Sequence, residues 1–247
     1  MARTVGIGVA VLAAVTFIAA ACGGDSSKQS QAMETATPPA TSTATHDEAL
    51  AQLRERASRS ASATFTARYV IRVSLGDGPS VNGRITWYQA NGRVRGDFDG
   101  QVGSQGLSAI VVPGPGYPEE ELLYVCPYGE GGGHCRVWQP ASEDEAYPPE
   151  VYPVVVASQF VGAEEFTEAM TVVRRDRTRT FLRESAACFT GTGDSATGTI
   201  CATPDGITLS LELESDGQVI SLTATELSRD VDDSALDLPF DLDETPP

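Results

Sequence analysis

Phe65-Thr66-Ala67-Arg68-Tyr69-Val70-Ile71-Arg72-Val73-Ser74-Leu75 is apolar at every odd position and mostly polar at the even ones. Side chains alternate between the two faces of a strand, so this period of two predicts a half-buried β-strand. Gly76-Asp77-Gly78-Pro79 follows as a turn. Val81, Gly83, Ile85 and Trp87 then alternate with Asn82, Arg84, Thr86 and Tyr88 in a second strand. Asn91-Gly92 is a strong short-range hairpin signal, because both residues tolerate the positive φ of a tight turn. Val94, Gly96 and Phe98 alternate with Arg93, Arg95, Asp97 and Asp99 in a third strand. Residues 64–101 therefore predict an antiparallel meander with one apolar face and one charged face.

Upstream, Thr45-His46-Asp47-Glu48 reads as a capping box, and Ala49, Leu50, Leu53 and Ala57 follow at helical spacing. A helix is expected over 46–60, with His46 a solvated residue at its start. Downstream, Leu107–Val112 predicts a fourth strand, stopped by Pro113-Gly114-Pro115-Gly116. Leu122–Cys126 predicts a fifth, with Cys135-Arg136-Val137-Trp138 returning as its partner after Gly131-Gly132-Gly133. The Pro- and acid-rich residues 139–153 read as a loop. Val154–Met170 reads as helical, with Gly162 dividing it. Val172–Arg175, Thr180–Phe189 and Thr199–Ala202 read as strands. Ile207, Leu209, Leu211 and Leu213 alternate in another, and Asp216-Gly217 turns into Val219–Leu227. The acidic end, from Asp230, reads as surface-bound or loose.

The first 45 residues carry no core. Arg3 precedes an uncharged run, Val5–Ala21, that ends Ala19-Ala20-Ala21-Cys22. A positive start, a short apolar stretch and small residues at the cut describe a signal peptide over 1–21. Cysteine directly after the small residues resembles the bacterial lipoprotein signal, in which Cys22 is lipidated and becomes the mature N-terminus. The departure is Ala19, where that pattern prefers leucine. An ordinary cleaved signal and an uncleaved anchor are the alternatives. Residues 22–45 are a Thr/Pro/Ser-rich tether, too polar and proline-rich to pack. The remainder divides into one domain over 46–240 and an acidic C-terminal tail over 241–247.

Charge excludes some functions. The chain has 17 Lys+Arg against 34 Asp+Glu, a net charge of −17. Removal of residues 1–21 takes away Arg3 and no acid, so the exported part stands at −18. A nucleic-acid partner is not expected, since phosphate contacts need a basic surface, and a polybasic attachment to a membrane surface is disfavoured by the same balance.

With Cys22 set aside, Cys126, Cys135, Cys188 and Cys201 remain, and four cysteines allow three connectivities. Export permits disulfides. The local pairing is expected: Cys126–Cys135 closes the glycine-rich hairpin, and Cys188–Cys201 closes the loop Thr190–Gly198. Cys126, His134 and Cys135 also form a soft ligand set, but without the spacing of a zinc site. No metal or other cofactor is expected. No catalytic residue is expected either. His46 and His134 are the only histidines, and Gly-x-Ser-x-Gly and phosphate-binding glycine motifs are absent from the sequence. Acid pairs such as Asp97/Asp99 and Asp232/Asp233 are unsurprising in so acidic a chain.

The order of these features is distinctive. A cysteine and tether lead into a short helix and the strand Phe65-x-Ala67-x-Tyr69-x-Ile71. Trp87-Tyr88…Asn91-Gly92-Arg93-Val94-Arg95, Tyr124-Val125-Cys126…Cys135, Ala187-Cys188-Phe189…Cys201…Pro204-Asp205-Gly206-Ile207 and Thr223-Ala224-Thr225-Glu226-Leu227 follow. This arrangement resembles the LolA/LppX-like lipoprotein superfamily over about 46–240. The resemblance implies an α+β fold: a strongly curved antiparallel sheet, an open half barrel, with two or three helices on its concave face. It further implies a lipid or other apolar small molecule as partner, held between sheet and helices, while the Cys22 signal places the protein, lipid-anchored, at the outer face of the cell membrane. Phe65, Tyr69, Ile71, Ile85, Trp87 and Phe98 share the apolar face of three neighbouring strands and are the candidate lining. The bland alternative is that they are core residues packed under the helices of an envelope sensor or protein-interaction module.

Overall fold

The computed structural model describes residues 45–75, 80–114, 122–140, 147–161 and 163–243. The expected signal peptide, Cys22 and the tether through residue 44 lie outside these residues. So do the turn 76–79, Pro115 and Gly116, residues 141–146 of the expected loop, Gly162, and the last four residues of the tail.

Helix α1 (His46–Ser60) starts as its capping box dictates. The Glu48 backbone N–H donates to Thr45 Oγ1, and the Thr45 N–H donates to the Glu48 carboxylate at 3.0 Å. Five strands follow as a meander: β1 (Phe65–Leu75), β2 (Val81–Ala90), β3 (Arg93–Val102), β4 (Gln105–Pro113) and β5 (Leu123–Gly129). The β2–β3 turn has Asn91 at φ 54° and Gly92 at φ 74°, the left-handed pair that the sequence predicts there. Two short strands, β6 (Gly132–Gly133) and β7 (Arg136–Trp138), both pair with β5. Helices α2 (Tyr152–Val161) and α3 (Glu164–Ala169) lead to β8 (Val172–Phe181), β9 (Glu184–Thr192), β10 (Ala196–Ala202), β11 (Thr208–Ser215) and β12 (Gln218–Ser228).

The strands join in one antiparallel sheet, ordered β6-β5-β4-β3-β2-β1-β12-β11-β10-β9-β8, with β7 also on β5. The sheet does not close, since β8 ends it on one side. It is strongly curved, and α1 is the evidence. At the N-terminal end of α1, the His46 imidazole Nδ1 accepts the Val173 N–H of β8 at 2.9 Å. At its C-terminal end, the Ser60 carbonyl accepts from Gln89 Nε2 of β2. These strands stand six positions apart in the sheet, so α1 bridges its two halves on one face. Helix α2 does the same by packing on β2, β3 and β11 together. The α+β open half barrel with helices on the concave face is therefore the fold.

The structure differs from the sequence expectations in four places. Strand β8 runs on to Phe181, with a register shift between Arg175 and Thr178, and the turn falls at Leu182 and Arg183, with φ of 52° and 69°. The strand expected over Thr180–Phe189 is thus two strands. Nothing in Leu-Arg signals a left-handed turn, which such residues rarely adopt. The run Arg174–Thr180 lacks apolar alternation because it is a sheet edge exposed along its length. The expected loop over 139–153 ends earlier, since α2 begins at Tyr152. Pro153 sits in the first turn, where a missing N–H costs nothing. His46 is half-buried and bonded to β8 rather than solvated. Finally, the domain continues past 240. The Cys135 N–H donates to the Asp241 carbonyl at 3.1 Å, and the Asp243 N–H donates to the Cys135 carbonyl at 2.7 Å. Residues 241–243 belong to the folded unit, so the tail expected over 241–247 is shorter.

Candidate functional site

Antiparallel register places the candidate lining in rows across the concave face. Tyr69 stands opposite Ile85, Ile85 opposite Phe98, and Phe98 opposite Ala109. Trp87 stands between Ala67 and Gly96 in the next row. Ile71 begins a row that continues through Leu222, Leu211, Ile200 and Phe189 to Arg175 at the edge. Phe65, Tyr69, Ile71, Ile85 and Phe98 are 0% exposed, and Trp87 is 5% exposed. All six sequence candidates thus come together on one buried face. In this state no water-sized space touches the first five.

Two polar groups interrupt that face. Trp87 Nε1 donates to Gln89 Oε1 at 3.3 Å, and the Gln89 amide donates onward to Ser60, so buried Gln89 is satisfied at both ends. The Tyr69 hydroxyl is different. It is fully buried and has no hydrogen-bond partner among the described residues. Burial alone pushes its pKa far above the usual tyrosine range, so it is a neutral donor at any physiological pH.

The cover over the face is α2 and α3, and it is seated on glycines. A Cβ at Gly96 would overlap Val154 Cγ1 of α2. A Cβ at Gly198 would meet the Glu212 carbonyl of β11 at 2.7 Å and Phe166 of α3 at 3.0 Å, and one at Gly191 would lie 2.5 Å from Met170. Thr208 Oγ1 of β11 donates to the Phe160 carbonyl at 2.9 Å, tying down the C-terminal end of α2. Beyond that bond the cover is held by apolar packing, with Val154, Val156, Ala157, Phe160 and Phe166 buried against the sheet. Helix α2 carries no charge at either end, and α3 has six residues and no side-chain cap, with Ala163 at φ 62° before it. Helices this short are marginal alone, so packing on the sheet maintains them. The seat residues Gly96, Gly191 and Gly198, and the linker Gln89, were not among the candidates. A glycine at an apolar position of an alternating strand is the signal that finds them.

Cys126 is bonded to Cys135, and Cys188 to Cys201. Cys188 and Cys201 are direct partners across β9 and β10. Behind the sheet, Ile110, Val112, Cys126 and Cys135 form a second apolar cluster, covered by Leu238 and Phe240. An open groove of about 560 Å³ runs beside it, lined by His134 and residues 238–243. Asp97 is paired with Arg95 at 2.6 Å, and Asp99 accepts from Ser108 at 2.8 Å. Among the described residues, no cluster of three or more His, Cys, Asp or Glu is placed to hold a metal, and no helix is long and apolar enough to cross a membrane.

No protein-family model matches the chain, and no curated protein matches it. Among solved structures, it is similar to lipoprotein LppX from Mycobacterium tuberculosis at 13% identity, over 76% of this chain and 97% of that one, with a TM-score of 0.46. It is similar to LprF from Mycobacterium bovis at 13% identity, over 78% and 98%, with a TM-score of 0.47. It is also similar to a LolA superfamily protein from Nitrosomonas europaea at 11% identity, over 77% and 97%, with a TM-score of 0.33.

Proposed function

We propose that this domain binds the acyl part of a lipid, or another apolar molecule, between its sheet and the α2–α3 cover. It does so without catalysis, as an exported protein anchored through Cys22 at the outer face of the cell membrane. The Tyr69 hydroxyl is the observation that carries this reading. A buried hydroxyl without a partner costs about 1–3 kcal/mol, and phenylalanine would avoid the cost at the same site. A polar atom kept there has a use in another state of the molecule. When α2 and α3 lift, Tyr69 offers an unengaged donor in an apolar groove lined by Phe65, Ile71, Ile85, Trp87 and Phe98. Ligand sites have this character, apolar walls with a few placed polar groups. An ester carbonyl is a suitable acceptor.

A second reading is a sensor or protein-interaction module whose core stays filled. The complete burial of the five lining residues favours it. Native mass spectrometry after mild purification, combined with uptake of a fluorescent fatty acyl probe, separates the two. A retained lipid or saturable uptake that competes with lipid supports the carrier. Repeated absence of both leaves the filled module. Anchoring is tested separately: the mature N-terminal peptide should carry acyl mass on Cys22, and Cys22→Ser should release the protein from the membrane fraction.

A further inference from the structure

The arginines of this chain are not spread evenly. Residues 174–183 hold five of them, Arg174, Arg175, Arg177, Arg179 and Arg183, with only Asp176 to offset them. That is a local charge of +4 in ten residues of a chain at −17. The segment is β8 and its turn, the open edge of the sheet, and all five are exposed. Arg179 pairs with Asp176 at 3.4 Å, while Arg174, Arg177 and Arg183 carry no ion pair among the described residues. The facing strand does not neutralise them. Thr178, Arg179 and Thr180 lie opposite Ala187, Ala186 and Ser185, and Glu184 at the turn is engaged by Arg229. Helix α1 lies against this edge, with Arg175 donating to Gln52 at 3.0 Å, and its own charges balance, Asp47, Glu48 and Glu55 against Arg54, Arg56 and Arg59.

The place where the N-terminal segment joins the domain lies at this same edge. Thr45 is the first described residue, and the next residue, His46, is bonded to Val173 of β8. Residues 23–44 separate that junction from Cys22, and a chain of that length reaches at most about 75 Å. We propose that the β8 edge docks on the anionic headgroups of the membrane to which the protein is tethered. The rest of the domain, strongly acidic, is repelled by the same surface, so the charge asymmetry sets the orientation as well as the contact. Arginine suits this role because its planar fork meets phosphate oxygens two at a time. The tethered geometry rests on the anchoring proposed above, but the affinity of the edge for anionic lipid does not.

The test uses the full chain carrying Cys22→Ser, so that no acyl anchor contributes. Its sedimentation is compared on vesicles of phosphatidylcholine and on vesicles of equimolar phosphatidylcholine and phosphatidylglycerol, at low and high salt. We expect a surplus of binding to the anionic vesicles that salt removes. Arg174→Gln/Arg177→Gln should weaken that surplus by roughly 25-fold, about fivefold for each arginine. Arg72→Gln/Arg84→Gln, which removes equal charge elsewhere, should leave it within about twofold. Equal binding to both vesicles, or equal loss in both variants, overturns the proposal. So does a β8 variant that self-associates in gel filtration while keeping its vesicle binding, since the arginines would then only guard a sheet edge. Acyl mass on Cys22 reads the anchoring independently of all these outcomes.

Discussion

Val154 of α2 occupies the space that a side chain at Gly96 of β3 would need. The closed domain therefore depends on the absence of one methyl group. In Gly96→Ala, the added Cβ meets Val154 and then the Trp87 ring at 3.4 Å. Overpacking of this kind costs about 1–3 kcal/mol, to be read as a lower urea midpoint. If α2 lifts to admit a ligand, the same variant should take up the acyl probe faster than the parent. A destabilised variant with unchanged uptake would argue that the cover does not move.

Tyr69→Phe should be neutral or stabilising by up to about 3 kcal/mol, because it deletes a buried hydroxyl that lacks a partner. Acyl-probe affinity should fall at least severalfold in the same variant. A clear loss of stability in equilibrium unfolding would show that the hydroxyl is satisfied in the native state.

The same residue makes stability fall at high pH. The folded-state pKa of Tyr69 is raised by burial, so the folded protein keeps the proton that the unfolded chain loses near pH 10. More protons are bound in the folded state, and stability declines as pH rises above about 10, by up to about 1.4 kcal/mol per unit. Below that range the contribution is fully present and flat. Urea titrations of the parent and Tyr69→Phe across pH 8–11 should diverge only in the upper part, with the parent the steeper.

Arg95 fastens the C-terminal segment to the back of the sheet. It holds Asp97 with two bonds, at 2.6 and 2.8 Å, and donates to the Ala235 and Asp237 carbonyls at 3.0 and 3.2 Å. Burial pushes the Asp97 pKa up, and the Arg95 hydrogen bonds and charge pull it back. Arg95→Ala leaves a largely buried carboxylate alone and should cost about 3 kcal/mol. Limited proteolysis should then open the chain near residues 233–243, uncovering the cluster of Ile110, Val112 and Phe240. Protection equal to the parent would refute the fastening role.

Cys188–Cys201 closes a short loop, with a sequence separation of 13. Replacing both residues by serine should cost about 3 kcal/mol through the entropy restored to the unfolded chain. The lowered urea midpoint should match that of the parent under reducing conditions once the second disulfide is controlled for by the matching Cys126/Cys135 double variant.

Local signals made much of the fold legible. The capping box at Thr45 and Glu48, the Asn91-Gly92 turn and the alternation through Phe65–Leu75 and Ile207–Leu213 act within a few residues. Their structural consequences are therefore written beside them. The Leu182-Arg183 turn was not legible, because its left-handed backbone is imposed by the pairing of β8 with β9 and not by residue type. The lining residues were legible as a face, since register follows from the period of two.

Sequence alone settled which side chains share the concave face, where α1 begins, and that the charge lies overwhelmingly on one sign. Only the tertiary structure decided what meets that face. Gly96, Gly191 and Gly198 become seats for α2 and α3, and Tyr69 becomes a donor with no acceptor, because residues far apart in the chain close around them. It also decided that five arginines fall at an open sheet edge beside the His46 junction. Periodicity acts along the chain, over a few residues. A seat, an orphaned hydroxyl or a charged edge depends on which distant segment arrives opposite, and sheet curvature sets that.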